Sequence, residues 1–310
     1  MKSGLVAFCF PGQGSLAVGM GREIVAAVPE ARDVFERSSA ASGLDLQRLC
    51  FEGPEATLVE TEIQQPALVA TSLAVCAAVR ARGIKPDFVV GHSVGEFAAL
   101  AAAGALRVEE AIALVRERGL AMAEAARKNP GSMAAILGLD DEVVERICRR
   151  ILNVWPANYN CPGQIVVSGE DPAVEEACAA AEEAGARRAV KLRVSGAFHS
   201  PLVARAADRL RPALEKVGFV EPVSPFMSTV TARIESAKRM APLLVEQLTA
   251  PVRFTHAGQA LIKEGVHTFV EVGPGNVLSG LIKRIDRSVK TISVSTPEEI
   301  DRLEETLLSA

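Results

Sequence analysis

The chain has 310 residues, a near-balanced net charge of −4 and 23% charged residues. That length suits one large α/β domain, or one carrying a smaller insert, and dispersed Lys and Arg leave no electrostatic footprint for nucleic acid. Six cysteines without a C-x-x-C pair, and four histidines without an H-x-x-x-H pair, argue against a disulfide framework or a metal centre and predict free thiols in a reducing compartment.

In chain order, the apolar run Leu5–Phe10 ends at Pro11-Gly12; it is too short for a signal peptide and predicts a first strand. Residues 12–17 formally match the dinucleotide pattern G-x-G-x-x-A, but Asp33 lies inside a helical pattern instead of ending a second strand, so a nucleotide cofactor is rejected. Helical patterns follow at 21–42 and 64–82, a strand at 87–90, and helices at 94–103 and Val108–Lys128. This βα alternation predicts a mainly parallel sheet covered by helices. The longest apolar stretch, 97–106, is about half a membrane span, so a soluble cytoplasmic protein with no membrane partner is expected.

From Asn129 the order becomes strand 133–139, helix 140–152, strands 154–158 and 165–168, helix 171–184 and strand 188–194. βαββαβ is the ferredoxin-like pattern. The expected organisation is a large α/β hydrolase-like domain (1–128 and 196–310) with a small ferredoxin-like α+β domain inserted at 129–195. The large domain resumes with helix 201–217, an extended 224–229, a helix after Ala241, strand 268–272 and helix 276–285.

Between strand 87–90 and helix 94–103 stands Gly91-His92-Ser93-Val94-Gly95. G-x-S-x-G in that setting is a nucleophile elbow, in which glycines permit a tight turn and the serine stands clear of the sheet. The Val94 N–H, at the new helix N-terminus, points to where an oxyanion would form. A serine hydroxyl needs a base. His92 adjoins the nucleophile and would line the pocket with its ring turned away. His256 and His267 carry no partner signal. His199 ends a loop just before Ser200-Pro201, an N-cap and first-turn Pro, where the helix N-terminus should keep it neutral; a plain polar loop residue is the alternative. The acids between Ser93 and His199 in the chain, Asp140, Asp141, Glu170 and Asp171, all look like helix starts, so a Ser–His dyad oriented by a backbone carbonyl fits better than a triad. Arg118 shares an apolar helical stripe with Ala111, Val115 and Met122 and requires either an anion, an internal ion pair or a snorkelling path to solvent. Glycine-flanked Gln13 could bring a backbone N–H to an oxyanion.

Taken together, Pro11-Gly12-Gln13-Gly14, Gly91-His92-Ser93-Val94-Gly95-Glu96, Arg118-Gly119, Gly196-Ala197-Phe198-His199-Ser200 and residues 247–254 (QLTAPVRF) give a chain that resembles malonyl-CoA:acyl carrier protein transacylases and the acyltransferase domains of polyketide synthases. The resemblance spans the whole length. It implies Ser93 as the acylated nucleophile, His199 as general base and acid, and Gln13 and Val94 as oxyanion-hole N–H donors. It further implies that Arg118 binds the malonate carboxylate and that the Gln247 carbonyl orients His199. Malonyl-CoA and the phosphopantetheine thiol of acyl carrier protein are the implied substrates, with no cofactor or metal and a monomeric enzyme. Ala197-Phe198-His199 looks like the malonyl-selecting form. An acidic carrier would dock on basic side chains, for which Lys283 and Arg284 are candidates, although both also complement a helix C-terminus. A trans-acting polyketide acyltransferase and a serine thioesterase are the competing expectations. Arg118 argues against the second, as intact Ser93, His199 and Arg118 do against a non-catalytic scaffold.

Overall fold

A computed structural model describes residues 4–308, which form two β-sheets flanked by helices. In chain order the strands are β1 Leu5–Phe10, β2 Phe88–Gly91, β3 Ser132–Leu137, β4 Val154–Cys161, β5 Gln164–Gly169, β6 Arg188–Lys191, β7 Phe226–Ser228, β8 Arg233–Glu235, β9 Val266–Val272 and β10 Lys290–Val294. The larger sheet runs β10-β9-β1-β2-β7-β8. Its pairings are parallel apart from the edge pair β7–β8. Central position explains why β1 is an unbroken apolar run, since a parallel sheet covered on both faces has no solvated side. Phe8 and Phe10 enter one core with Leu68 and Phe97, while Ala7 and Cys9 enter the other with Phe254 and Leu261.

The smaller sheet is antiparallel, in the order β4-β5-β3-β6, with helices Asp141–Arg150 and Asp171–Glu183 as its connections. It has its own core, in which Ile136, Val144, Ile165, Val167 and Val174 are buried. A short parallel bridge joins the two sheets' surroundings: the Val252 N–H donates to the Ala157 carbonyl and the Tyr159 N–H to the Val252 carbonyl, both at 2.8 Å.

Two long helices, Thr61–Ala81 and Val108–Lys128, set the site's back wall. They approach so closely that a Cβ on Gly119 would lie 2.8 Å from the Glu62 Cα. Pro66 cannot donate to the Glu62 carbonyl one turn back. The Arg116 guanidinium fills that acceptor instead, at 2.6 Å, pinning one helix to the other. Thr61–Ala81 is long and apolar enough to cross a membrane, but 83% of its most apolar window is buried within the protein, as in a core helix.

Some boundaries differ from expectation. The helix expected at 21–42 is two, Arg22–Ala27 and Pro29–Ser42, because Val28 before a proline is held extended at φ −121°. Helix 201–217 opens as a 3₁₀ turn, Pro201–Val203, before Ala204–Glu215. The strand expected to reach 194 ends at Lys191. Helices Leu46–Glu52 and Pro297–Leu308 and strands β8 and β10 had no distinct sequence signal.

The elbow depends on its glycines. A Cβ on Gly91 would sit 2.1 Å from the Gly95 carbonyl carbon, and one on Gly95 2.2 Å from the Phe10 oxygen. Gly91→Ala is therefore expected to cost about 3 kcal/mol or more, as a clash with backbone that cannot yield. Gly280→Ala, on an open face of helix Val277–Ile285 with nothing within 4 Å, should be neutral or stabilising by up to about 1 kcal/mol. Chemical denaturation of both variants checks the contrast; an equal loss in both would remove the steric account of the elbow.

Candidate active site

Ser93 follows β2 with φ +52°, a left-handed conformation that costs a non-glycine residue energy and persists only when its surroundings fix it. They do. The His92 N–H continues the sheet to the Phe10 carbonyl, the Gly95 N–H closes on the His92 carbonyl, and the Glu96 N–H closes on that of Ser93, each at 3.0 Å. Val94 is then the N-cap of helix Gly95–Ala102. His199 is also left-handed, at φ +57°, so two of the four described non-glycine residues with positive φ form the site's central pair.

Ser93 Oγ lies 2.8 Å from His199 Nε2, and His199 Nδ1 lies 2.8 Å from the main-chain oxygen of Gln247. A carbonyl can only accept, so Nδ1 carries the proton and Nε2 is free to accept from the serine. His199 is 5% exposed. Burial, then the neighbouring Arg118 charge, pull its pKa down to about 3. The sequence assigned neutrality to a helix N-terminus; desolvation and Arg118 are the cause instead. Ser200 does cap the following turn, accepting from the Leu202 N–H at 3.3 Å.

Arg118 has no solvent exposure, which removes the snorkelling alternative. Its Nη1 donates to Gln65 Oε1 at 2.8 Å, and Nη2 donates to Ser93 Oγ at 3.1 Å and Gln247 Oε1 at 3.0 Å. Nε has no protein partner. Burial lowers the guanidinium pKa to about 10, partly offset by Glu96, so the group stays cationic at neutral pH. Glu96 is likewise fully buried. Its Oε1 accepts from the Thr229 N–H at 2.6 Å and hydroxyl at 2.8 Å, and its Oε2 from Gln247 Nε2. Burial pushes its pKa up to about 7 against those donors and the Arg118 charge. Glu96 and Gln65 have no role assignable from their own segments; a carboxylate in an Ala-rich first turn and a Gln pair in an apolar helix are the only local signals.

Ser93 and His199 open on a cleft of about 730 Å³ between the two sheets, within the range usual for small-molecule sites, with Arg118 buried behind them. Gln13 and His92 line it from the large sheet, and Asn158 and Asn160 from the small one. Gln13 starts the 3₁₀ turn Gln13–Ser15 after β1, held by a reciprocal amide pair: Gln13 Nε2 donates to Gln64 Oε1 at 2.8 Å and Gln64 Nε2 to the Gln13 carbonyl at 3.1 Å. His92 turns to Asn160 Oδ1 at 2.9 Å, away from the serine. His256 and His267 are exposed, and Asp140 and Glu170 are N-cap residues of helices in the small sheet. Lys283 and Arg284 are exposed and both are engaged: Arg284 reaches the cleft lining, donating to Gln164 Oε1 at 2.6 Å and to the Pro162 carbonyl at 3.2 Å, whereas Lys283 Nζ donates to the Val289 carbonyl at 2.6 Å. Among the described residues no cluster of His, Cys, Asp and Glu could hold a metal ion.

The chain as a whole has similar relatives among known proteins. The acyl transferase domain family matches residues 7–297. The malonyl CoA-acyl carrier protein transacylase of Bacillus subtilis (strain 168) is 45% identical over 307 residues, 97% of each chain. The crystal structure of an acyl-carrier-protein-S-malonyltransferase from Bartonella henselae superposes with a TM-score of 0.94 at 41% identity, covering 98% of this chain and 99% of that one. A malonyl-transacylase solved in complex with its type II PKS acyl-carrier protein matches with a TM-score of 0.94 at 39% identity, covering 97% and 99%. With a family match over nearly the whole length, the chain belongs to the acyl transferase domain family and is an acyltransferase.

Proposed function

We propose that this protein moves the malonyl group from malonyl-CoA to the phosphopantetheine thiol of an acyl carrier protein, through a malonyl ester on Ser93, and so supplies fatty acid synthesis. The observation that carries this reading is the fully buried Arg118 guanidinium reaching the nucleophile's own hydroxyl. A carboxylate placed there gains a charge-assisted, planar partner. A generic thioesterase has no use for that cation.

Neutral His199 accepts the Ser93 proton at Nε2 as Oγ attacks the thioester carbonyl. Its Nδ1–H stays on the Gln247 carbonyl and steadies the imidazolium. The tetrahedral oxyanion rests on the Gln13 and Val94 N–H groups. Collapse expels the CoA thiolate, which takes the proton from His199 and leaves the malonyl ester. The carrier thiol then gives its proton to His199, attacks the ester, and Ser93 leaves by the same path. Each step balances without a metal or redox cofactor.

The carrier is proposed to dock at the cleft mouth, where Arg284 presents positive charge next to Gln164 of the lining and Lys283 adds to it from the same helix. The small sheet's βαββαβ order reads as a ferredoxin-like insert at 129–195 within a hydrolase-like domain formed by 1–128 and 196–310. A cytoplasmic monomer is proposed, with neither nucleic acid nor membrane as partner. The likeness to a transacylase solved with a polyketide carrier favours one second reading, service to a polyketide pathway by the same chemistry.

Ser93→Ala should abolish transfer and the covalent intermediate. Intact-mass spectrometry after mixing with malonyl-CoA should give a malonyl adduct on the wild type alone; an adduct on the variant would sink the assignment.

His199→Ala should lower the acylation rate by roughly 10²–10⁴. A base whose folded pKa is about 3 is already unprotonated well below neutrality. Acylation by acetyl-CoA, followed from pH 5 to 8, should therefore lack an acid limb centred near 6.5. Such a limb, if it persists in Glu96→Gln and so does not come from the Glu96 carboxyl near 7, or wild-type rates in His199→Ala, would unseat His199.

Arg118→Ala should change the choice of acyl group. Losing one partner of a buried charge pair costs on the order of 2–5 kcal/mol. The ratio of kcat/KM for malonyl-CoA over acetyl-CoA should fall by tens to thousands, because acetyl has no carboxylate to lose. An unchanged ratio would make Arg118 a structural arginine.

A further inference from the structure

Gln247 touches Ser93, Glu96, Arg118 and His199 at once. Its main-chain oxygen accepts from His199, its Oε1 accepts from Arg118, and its Nε2 donates to the Ser93 carbonyl at 3.0 Å and to Glu96. A carboxamide has two orientations half a turn apart, and the other would set its NH₂ against the Arg118 donors and its oxygen against two acceptors. Glu96 decides between them. Both of its oxygens accept here, one from Thr229 and one from Gln247, so it demands the NH₂ on its side and leaves Oε1 for Arg118. Thr229 holds the other Glu96 oxygen with two donors, so the carboxylate cannot turn away. The His199 contact is less exposed to this choice, because the Gln247 main chain is fixed by its own N–H on the Leu243 carbonyl at 2.8 Å.

We propose that Glu96 is a positioning residue for acyl selection: through the Gln247 side chain it aims the Arg118 guanidinium at the Ser93 hydroxyl, where a substrate carboxylate would be held. This rests on the reading of Arg118 as the carboxylate-binding group. Glu96 touches neither the nucleophile's hydroxyl nor His199, so it acts only through its neighbours. Its charge has an opposite influence on the same step, since an anion near Arg118 disfavours a second one. Positioning and charge therefore predict opposite signs when the carboxylate is neutralised.

Glu96→Gln separates them. The replacement keeps the shape, but the two Thr229 donors draw the new amide oxygen, which leaves its NH₂ facing that of Gln247. One amide must flip, and the Arg118 acceptor is lost. The readout is the malonyl-CoA over acetyl-CoA ratio of kcat/KM, which does not depend on the folded fraction and which a merely structural role, lowering both rates together, would not move. The expected result is a fall of about tenfold or more in Glu96→Gln, and no further fall when the change is added to Arg118→Ala, because residues acting through one contact are not additive. Thr229→Val, which removes one donor to Glu96, should lower the ratio by a smaller factor, and it carries the test should Glu96→Gln not fold. A ratio that is unchanged in the folded variants, raised, or lowered additively in the double variant overturns the proposal. If Arg118→Ala alone leaves the ratio unchanged, the carboxylate-binding reading falls and this inference falls with it; if Arg118→Ala lowers the ratio and Glu96→Gln does not, this inference alone falls.

Discussion

A guanidinium without solvent exposure, set in an apolar layer of helices, governs the arrangement of everything near it. Desolvating a cation is costly unless acceptors surround it. Gln65, Gln247 and the Ser93 hydroxyl provide three, from a helix, a helix C-cap and the elbow. Each has its second polar edge used as well: Gln65 Nε2 donates to Met122 Sδ at 3.3 Å, and Gln247 Nε2 to Glu96 and the Ser93 carbonyl. The network runs without a gap from Thr229 at the end of β7 to the nucleophile. That continuity lets a charged group remain buried while one of its contacts is still the reacting hydroxyl.

The same burial sets the chemistry of the pair beside it. His199 is kept neutral by desolvation and by a cation in contact with its partner serine, so the proton it receives during attack meets an environment that disfavours it. The Gln247 carbonyl accepts from the ring's far nitrogen. A buried carboxylate in that place would attract the proton far more strongly. A carbonyl holds the ring and its tautomer while leaving the imidazolium a short-lived species, which suits a reaction that must return the proton to each departing group in turn.

Backbone strain and the cleft are linked through the sheets. Left-handed Ser93 is held by β2 and the helix behind it, and left-handed His199 by the loop that leaves the small sheet after β6. The two therefore meet only because the small sheet is seated over the carboxyl end of β1 and β2. Contacts that fix that seat include the Asn158–Val252 bridge, the His92–Asn160 hydrogen bond, a 2.7 Å contact between the Thr61 and Ser195 hydroxyls and the Arg284–Gln164 hydrogen bond. Each involves a residue that lines the cleft, so contacts that hold the small sheet also shape the substrate's path.

Local pattern in the sequence was enough for the elements whose signal is local. The apolar run of β1, the glycines of the elbow and the single polar residue on the stripe of helix Val108–Lys128 each follow from one segment's own geometry, and so Ser93, Arg118 and His199 stood out. Pairing order, the extra edge strands β8 and β10 and the 3₁₀ start before Ala204 did not, because short half-buried segments take their conformation from neighbours remote in the chain. Glu96, Gln64 and Gln65 carry only a local hint, a polar side chain in an apolar helix, and no assignable role for the same reason. A polar side chain in an apolar helix acquires a role only when packing brings it a partner, and theirs come from Thr229, Gln13 and Arg118. The sequence by itself determined which residues could react. Tertiary structure decided which amide faces which charge, and that His199 is neutral through burial instead of a helix end, because desolvation and hydrogen-bond direction are properties of the packed interior and of no single segment.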